Sequence, residues 1–547
     1  MFGYAVAAAS FFLFISRFFV YPVVQYFYDA KGLRKYPNLS PLSGITNIPY
    51  MILSTSGRRS ERLAQLHQTH PIIRIGPNAL SFGDCTAIKV RGLHYSLLST
   101  QLTWSQDIYG HGSKCTKDEM YNVLAGTHFH VADVIDRGDH ARKRKMLSSA
   151  YAIKNLEGWE HKIAEKISRV VTHFDNCCTD PPRSSRDIGH DDLKVDYRRW
   201  TNFFTMEAIV DIGLSEDVGF TKVGNDEITC EEFDGSQRKV PYAKSLHSLL
   251  TAQSHIVWSY KFYPYLVKLT NLIPSYRTCW KLGAAYPGIV FHQAKKRFAR
   301  YQAGEKLDDF FQALMETKTG SIHNLEWGEI IAELAVMSKL KPQSSNGLTH
   351  SCTVNAGSVT TATAINNVMY LLLKHPRVLT KLREELDANL GDEDVVPYDK
   401  VKHLPYLRAC LDEAMRIFPP TPFNLPRFTP AEGTTVMGEF IPGRTSVSMS
   451  SYVAHRDTKV FPDPETFLPE RWLSEEGKEL QPFFLTFSAG SRGCLGRNIS
   501  YLEQYVMTAT MLHRYDFALP SPEWEQYRYE HFNENPGTLP LKVWRRK

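Results

Sequence analysis

The run Phe487-Ser-Ala-Gly490-Ser-Arg492-Gly493-Cys494-Leu-Gly496 constrains this chain more than any other stretch. Ile499, Leu502, Val506, Ala509 and Leu512 follow at helical spacing, so Cys494 stands where a helix begins. The unpaired N–H groups at a helix start carry partial positive charge, which is expected to lower a thiol pKa and favour thiolate. Gly490, Gly493 and Gly496 predict tight turns and a close approach of backbone to a flat partner. Arg492 offers a planar donor fork suited to a carboxylate. A cysteine by itself reads as a small buried hydrophobe. Framed by glycines and an arginine, this one reads as a ligand.

The pattern F-x-x-G-x-R-x-C-x-G resembles the haem-binding loop of the cytochrome P450 family. The resemblance implies a mainly helical, triangular domain with a smaller β-rich region. It implies heme b as cofactor and Cys494 as the axial thiolate on its iron, with Phe487, Gly490, Arg492 and Gly496 in the same loop. A thiolate pushes electron density to the metal and favours O–O cleavage.

Further motifs carry the resemblance in the family's order. At His140-Ala-Arg142-Lys143-Arg144 the family has tryptophan, three residues, then arginine, both reaching haem propionates. Here His140 takes the first place and Arg144 the second, and both can donate to a carboxylate. In Ala356-Gly357-Ser-Val359-Thr360-Thr361 the resemblance gives Gly357 room for dioxygen and Thr360 a hydroxyl for proton delivery. Val359 replaces the family's usual acid there, and restoring an acid is expected to improve the relay. Glu413 and Arg416, three apart on one helix face, resemble two members of a buried charge triad completed by Arg471 of Pro469-Glu-Arg471-Trp472. Arg427, after Pro426, resembles an arginine to a haem propionate.

Composition narrows the partners. A net charge of +6 on 547 residues, without a long Lys/Arg run, gives no signature of nucleic-acid binding. Nine scattered cysteines argue against a disulfide framework and for a reducing compartment. Residues 1–35 read as an uncleaved membrane anchor, apolar from Met1 to Tyr28 with a basic flank at Lys31, Arg34 and Lys35. Residues 36–50 read as a stiff, helix-free hinge carrying Pro37, Pro41 and Pro49, and residues 51–547 as the haem domain. Residues 178–193 and 216–240 read as surface connections.

A central helix is expected from Asn324 to His375, stopped by Pro376. Ser338–Val354 interrupts it with Pro342, Asn346 and Gly347. Inside a helix, proline costs about 3 kcal/mol and glycine about 1. The segment reads as an unremoved intron or a mistaken gene model.

By resemblance, the chain is a single-pass protein of the endoplasmic reticulum membrane, facing the cytosol. It would insert one oxygen atom into a small, mostly apolar molecule. Electrons would come from NADPH through a flavoprotein, NADPH-cytochrome P450 reductase. Arg74-Ile-Gly-Pro-Asn78 and Asn424-Leu-Pro-Arg427 look like fungal members, pointing to secondary metabolism. Two other uses of the site stay open on the sequence: a haem-thiolate isomerase, dehydratase or peroxygenase without a reductase, and an inactive haem-binding protein.

Overall fold

A computed structural model of the chain describes residues 2–85, 107–125, 128–148, 150–151, 157–184, 188–232, 234–317, 320–323, 325–338 and 356–546. The helices that frame the interior are α1 (Arg137–Ser148), α2 (Glu160–Cys177), α3 (Tyr197–Leu214), α4 (Tyr242–Ile256) and α5 (Ala285–Gln302). They are followed by α6 (Trp327–Ser338), α7 (Val359–Lys374), α8 (Pro376–Asn389), α9 (Pro405–Ile417) and α10 (Arg497–Arg514). Helix α7 is buried on nearly every side from Val359 to Leu372, which makes it the axis of the core. It packs against α3, α9 and α10. The apolar positions predicted at helical spacing in α10 are all buried.

The β-rich part is a sheet of β1 (Ile72–Gly76), β2 (Ala79–Phe82), β3 (Thr116–Lys117), β4 (Arg427–Phe428) and β5 (Ser446–Ser448), in the order β1-β2-β5-β4-β3. The predicted Gly76-Pro77-Asn78 turn joins β1 to antiparallel β2. Strands β3 and β4 are antiparallel and set Lys117 directly opposite Arg427. Near the C-terminus β6 (Arg528–Glu530) and β7 (Glu534–Pro536) form a hairpin.

At the N-terminus, helix Phe2–Ile15, a π-helical turn Ser16–Val20 and helix Tyr21–Tyr28 follow one another. The stretch Ala9–Tyr28 has a mean hydropathy of 1.3 and is not buried, and its length is enough to cross a bilayer. Asp29, in the left-handed region, ends it. Lys31 of the basic flank is bonded to Asn78 Oδ1 at 2.7 Å, so the flank is attached to the body.

Two expectations need correction. The stretch 36–50 is not free of helix, because Ile48–Thr55 starts within it. Pro49 lies in the first turn of that helix, where its missing N–H costs nothing. Residues 216–240 contain an antiparallel pair, Glu227–Glu231 with Gln237–Pro241. Ile228 and Cys230 alternate inward there, a period too short to stand out among polar neighbours. The central helix is present as α6 and α7. Asn324 and residues 339–355 lie outside the described residues, and so does the expected interruption beyond Ser338. As expected, α7 stops at His375, and Pro376 opens α8 in its first turn.

The approach to the cysteine loop hangs on a buried carboxylate. Glu413, fully buried on α9, accepts both Nε and Nη2 of Arg416 at 2.9 Å and Nε of Arg471 at 2.9 Å. Trp472 Nε1 at 2.9 Å and the Leu468 N–H at 3.1 Å complete its shell. Arg416 passes the order on by donating to the His455 carbonyl at 3.0 Å. The His455 ring then accepts the Leu485 N–H at 2.8 Å through Nε2. Nδ1 must therefore carry the hydrogen that meets the Arg416 carbonyl at 3.1 Å. Burial first, then the Arg416 charge, hold His455 down to about 3 from an ordinary value of 6.5. A folded-state pKa below the unfolded one means the unfolded chain takes up the proton first as pH falls. Stability from His455 is thus complete above pH 6.5 and lost progressively toward about pH 3. Melting temperature measured against pH should decline below 6.5, and His455→Asn should lower the neutral value while removing about one proton from the slope.

Candidate active site

The cysteine loop is built from two short 3-10 turns, Leu485–Phe487 and Gly490–Arg492, ahead of α10. The Cys494 N–H donates to the Phe487 carbonyl at 2.9 Å, closing the loop on itself. Gly490 has a φ of +66°, and a Cβ there would stand 2.2 Å from the Tyr109 carbonyl oxygen. Any other residue would displace backbone. Gly496 has an ordinary φ of −77° as the residue capping α10, and a Cβ there would make only ordinary van der Waals contact, 3.9 Å from Cys494 Sγ.

Cys494 faces a cavity of about 350 Å³. The helix start was expected to depress its thiol pKa. In the fold, burial dominates and pushes it up. The Gly496 and Arg497 N–H groups and the Arg144 cation pull the other way. The residue itself is open to the cavity, and the protein packed around that cavity still outweighs the dipole at the helix end.

The cavity brings together Cys494, Phe487, Arg492 and Gly496 of the loop, His140 and Arg144 of α1, Arg427 of β4, and Ala356, Gly357 and Thr360 at the start of α7. Gly490 lies behind this wall, against Tyr109 and Gly110. Arg144 donates to the Gly493 carbonyl at 2.7 Å, and Arg492 reaches the Val134 and Ile135 carbonyls at 2.6 and 2.9 Å. Glu413, Arg416 and Arg471 sit outside the cavity, one layer behind the loop.

Lys117 was missed on the sequence. It lines the cavity, is buried, and its ammonium donates to the Ala132 carbonyl. A single lysine in a short polar strand carries no signal. Only the β3–β4 register reveals it, because like charges directly opposite each other destabilise a sheet. Tyr109 and Tyr121 join it. Arg427 lies 5.0 Å over the Tyr109 ring and donates to the Tyr121 hydroxyl at 3.3 Å.

Lys117, His140, Arg144, Arg427 and Arg492 therefore converge, and no carboxylate lines the cavity among the described residues. Burial, then Arg427 and Arg492, hold Lys117 well below its ordinary value. Burial, then Arg427 and Arg137, bring Arg492 down to about 10. Burial and four of these cations bring His140 down to about 3. Such a cluster is built for an anion.

On α7 the Thr360 hydroxyl donates back to the Ala356 carbonyl at 2.7 Å, which leaves its oxygen as an acceptor toward the cavity. Gly357 lines the cavity, and a Cβ there would also meet the Ile209 side chain of α3, 2.6 Å away. Val359 is fully buried and does not line the cavity. An acid placed there would be an unpaired core carboxylate rather than a restored relay.

The family model for Cytochrome P450 matches residues 105–533. A cytochrome P450 monooxygenase of Aspergillus terreus is 29% identical, covering 89% of this chain and 92% of its own length. Cytochrome P450 monooxygenase cicH of Emericella nidulans is 27% identical, over 93% and 94%. The astA monooxygenase of Talaromyces wortmannii is 28% identical, over 91% and 90%. The chain belongs to the cytochrome P450 family. It is a mainly helical oxidoreductase of the monooxygenase type, with haem iron held by a cysteine thiolate, electrons from a redox partner and an organic substrate.

The residues present fit that group. A dianionic porphyrin edge answers the unneutralised cations, and Met415, Leu425, Leu485 and Ile499 supply apolar walls. Lys117→Met is expected to weaken haem retention during purification. The same change should raise the melting temperature of haem-depleted protein, because it removes a buried charge on which burial and the Arg427 and Arg492 cations outweigh the attraction of Asp133. A lowered melting temperature of the depleted variant would count against this account.

Proposed function

We propose that Cys494 is the cysteine that holds the haem iron, with Lys117, His140, Arg144, Arg427 and Arg492 sharing the two propionates. When bound, haem supplies a thiolate-ligated iron at which O2 is activated, one oxygen atom going to substrate and the other leaving as water. The observation that carries the assignment is the convergence of one thiol and an unneutralised cation cluster on a single cavity. The Gly496 and Arg497 N–H groups and the Arg144 charge orient and stabilise the thiolate against the cost of burial. On the facing wall Thr360 keeps a hydroxyl oxygen open to the cavity, where it can hold a water and steer a proton. Ile209, Phe423, Leu425 and Met449 exclude bulk water and favour an apolar substrate.

The redox partner on this reading is NADPH-cytochrome P450 reductase. Lys145 and Arg497 are exposed beside the cysteine loop and suit an acidic docking surface. The apolar helix through Tyr28 anchors the chain in the endoplasmic reticulum, with the basic flank and catalytic domain in the cytosol. Phe18 packs on Phe262 at 5.3 Å, and exposed Tyr265, Leu269 and Leu272 follow in sequence, a surface suited to lipid on the same side. Oxidative tailoring of a fungal secondary metabolite is the role this reading favours.

The reduced, CO-treated protein should show the thiolate-type Soret position, and Cys494→Ser should lose it. A histidine-type spectrum in the unaltered protein would overturn the assignment. Thr360→Val, which keeps the shape and removes the oxygen, should divert NADPH electrons to peroxide while leaving ligand-induced Soret shifts intact. Unchanged coupling would remove Thr360 from proton handling.

A further inference from the structure

A second hollow, of about 640 Å³, opens between α2 and α3 and shares no lining residue with the cavity in front of Cys494. Three separate elements bring a cation to it. Lys194 stands just before the two-residue strand Val195–Asp196, Arg199 lies in the first turn of α3, and Lys222 belongs to the short helix Phe220–Val223. All three are exposed, and neither lysine has an ion-pair or hydrogen-bond partner for its ammonium among the described residues. Arg199 commits Nη2 to the Gly224 carbonyl at 3.0 Å and keeps its other guanidinium N–H groups.

The acids nearby are already engaged. Glu165, Glu207 and Asp217 neutralise Arg169 of α2, the fourth cation on the lining. Asp196 is the one carboxylate among the described lining residues. It accepts the Arg199 N–H at 3.4 Å and the Leu539 N–H at 3.0 Å, which holds it to the start of α3. Beneath the cations Trp200 is 7% exposed and stacks on His173 at 3.9 Å between ring centroids. Burial, then the Arg199 charge, hold His173 below its ordinary value, so the imidazole is neutral. The hollow is thus lined by one sign of charge over a low-dielectric floor, an arrangement that focuses the field and gathers counter-ions.

We propose that this hollow is a binding site for a compact polyanion bearing two or more phosphate groups. An ammonium meets a phosphate as a point charge, and a guanidinium meets it as a planar fork. Three cations spread over three elements suit a cluster of phosphates better than a single carboxylate. The same chemistry is presented by a soluble polyphosphate compound and by a phosphorylated lipid headgroup. The site is separate from the haem cavity and does not rest on the haem assignment.

The test titrates full-length holoprotein in detergent with pyrophosphate and with inositol trisphosphate by calorimetry, against sulfate at matched ionic strength. Both phosphates should bind at a single site, about ten-fold tighter than sulfate, and Lys194→Ala and Lys222→Ala should each weaken them about ten-fold, the scale of one charge-assisted hydrogen bond. Lys194→Arg and Lys222→Arg should keep the binding. Lys478→Ala, which removes an exposed lysine outside the hollow, should leave it unchanged. Neither Lys194 nor Lys222 is bonded to the protein, so every variant should melt at the wild-type temperature. A short-chain phosphoinositide in the same detergent separates the two sources. Tighter binding than inositol trisphosphate assigns the site to a lipid headgroup, and equal or weaker binding assigns it to a soluble compound. Wild-type protein that binds neither phosphate, or binds sulfate as tightly, overturns the proposal. So does undiminished affinity in both alanine variants of the hollow, or an equal loss in Lys478→Ala, which marks general screening of a basic surface.

Discussion

Glu413 is the interaction on which the site's geometry depends. A carboxylate removed from water is tolerable only when its lone pairs are met, and here two arginines, an indole and a backbone N–H meet them. The arrangement does more than neutralise charge. It joins α9 to the Leu468–Trp472 segment and, through Arg416 and His455, to the first residue of the cysteine loop. Each step is a short, directional bond between buried or half-buried groups, so displacement at one end is transmitted rather than absorbed.

Inside the cavity the electrostatics run in the opposite sense. Behind the loop the charges are paired. In front of it five cationic or cation-forming side chains converge without a carboxylate among the cavity's described lining residues. The β3–β4 register enforces one of these approaches, Lys117 against Arg427. An arrangement unfavourable in the protein alone becomes favourable with a dianionic cofactor edge, which couples cofactor binding to the stability of the sheet. The thiol obeys the same logic. The thiol opens on the cavity, yet the surrounding protein still opposes its ionisation, and a bound metal ion is what makes a thiolate there tolerable.

Helices with strong periodicity were legible in the chain, among them α9 and α10, and so was the strand pair about Gly76-Pro77-Asn78, because local spacing alone specifies them. The cysteine loop was legible for a different reason: glycine at 490 answers a backbone requirement that no neighbour can relieve. The short pair at 227–241 was hidden because its apolar alternation is only two residues deep. Gly357 was legible as a small residue on the cavity, but not that a Cβ there would meet Ile209 of a helix far away in sequence.

By itself the sequence determined the family pattern, the cysteine and its glycine frame, the triad residues and the apolar N-terminal helix, since each is written in neighbouring or regularly spaced residues. Only the tertiary structure decided that Lys117 faces Arg427, that Val359 points into the core, and that the surrounding protein raises the Cys494 thiol. Those outcomes depend on which distant backbones meet and how much water they exclude, and neither burial nor cross-strand register is encoded in local spacing.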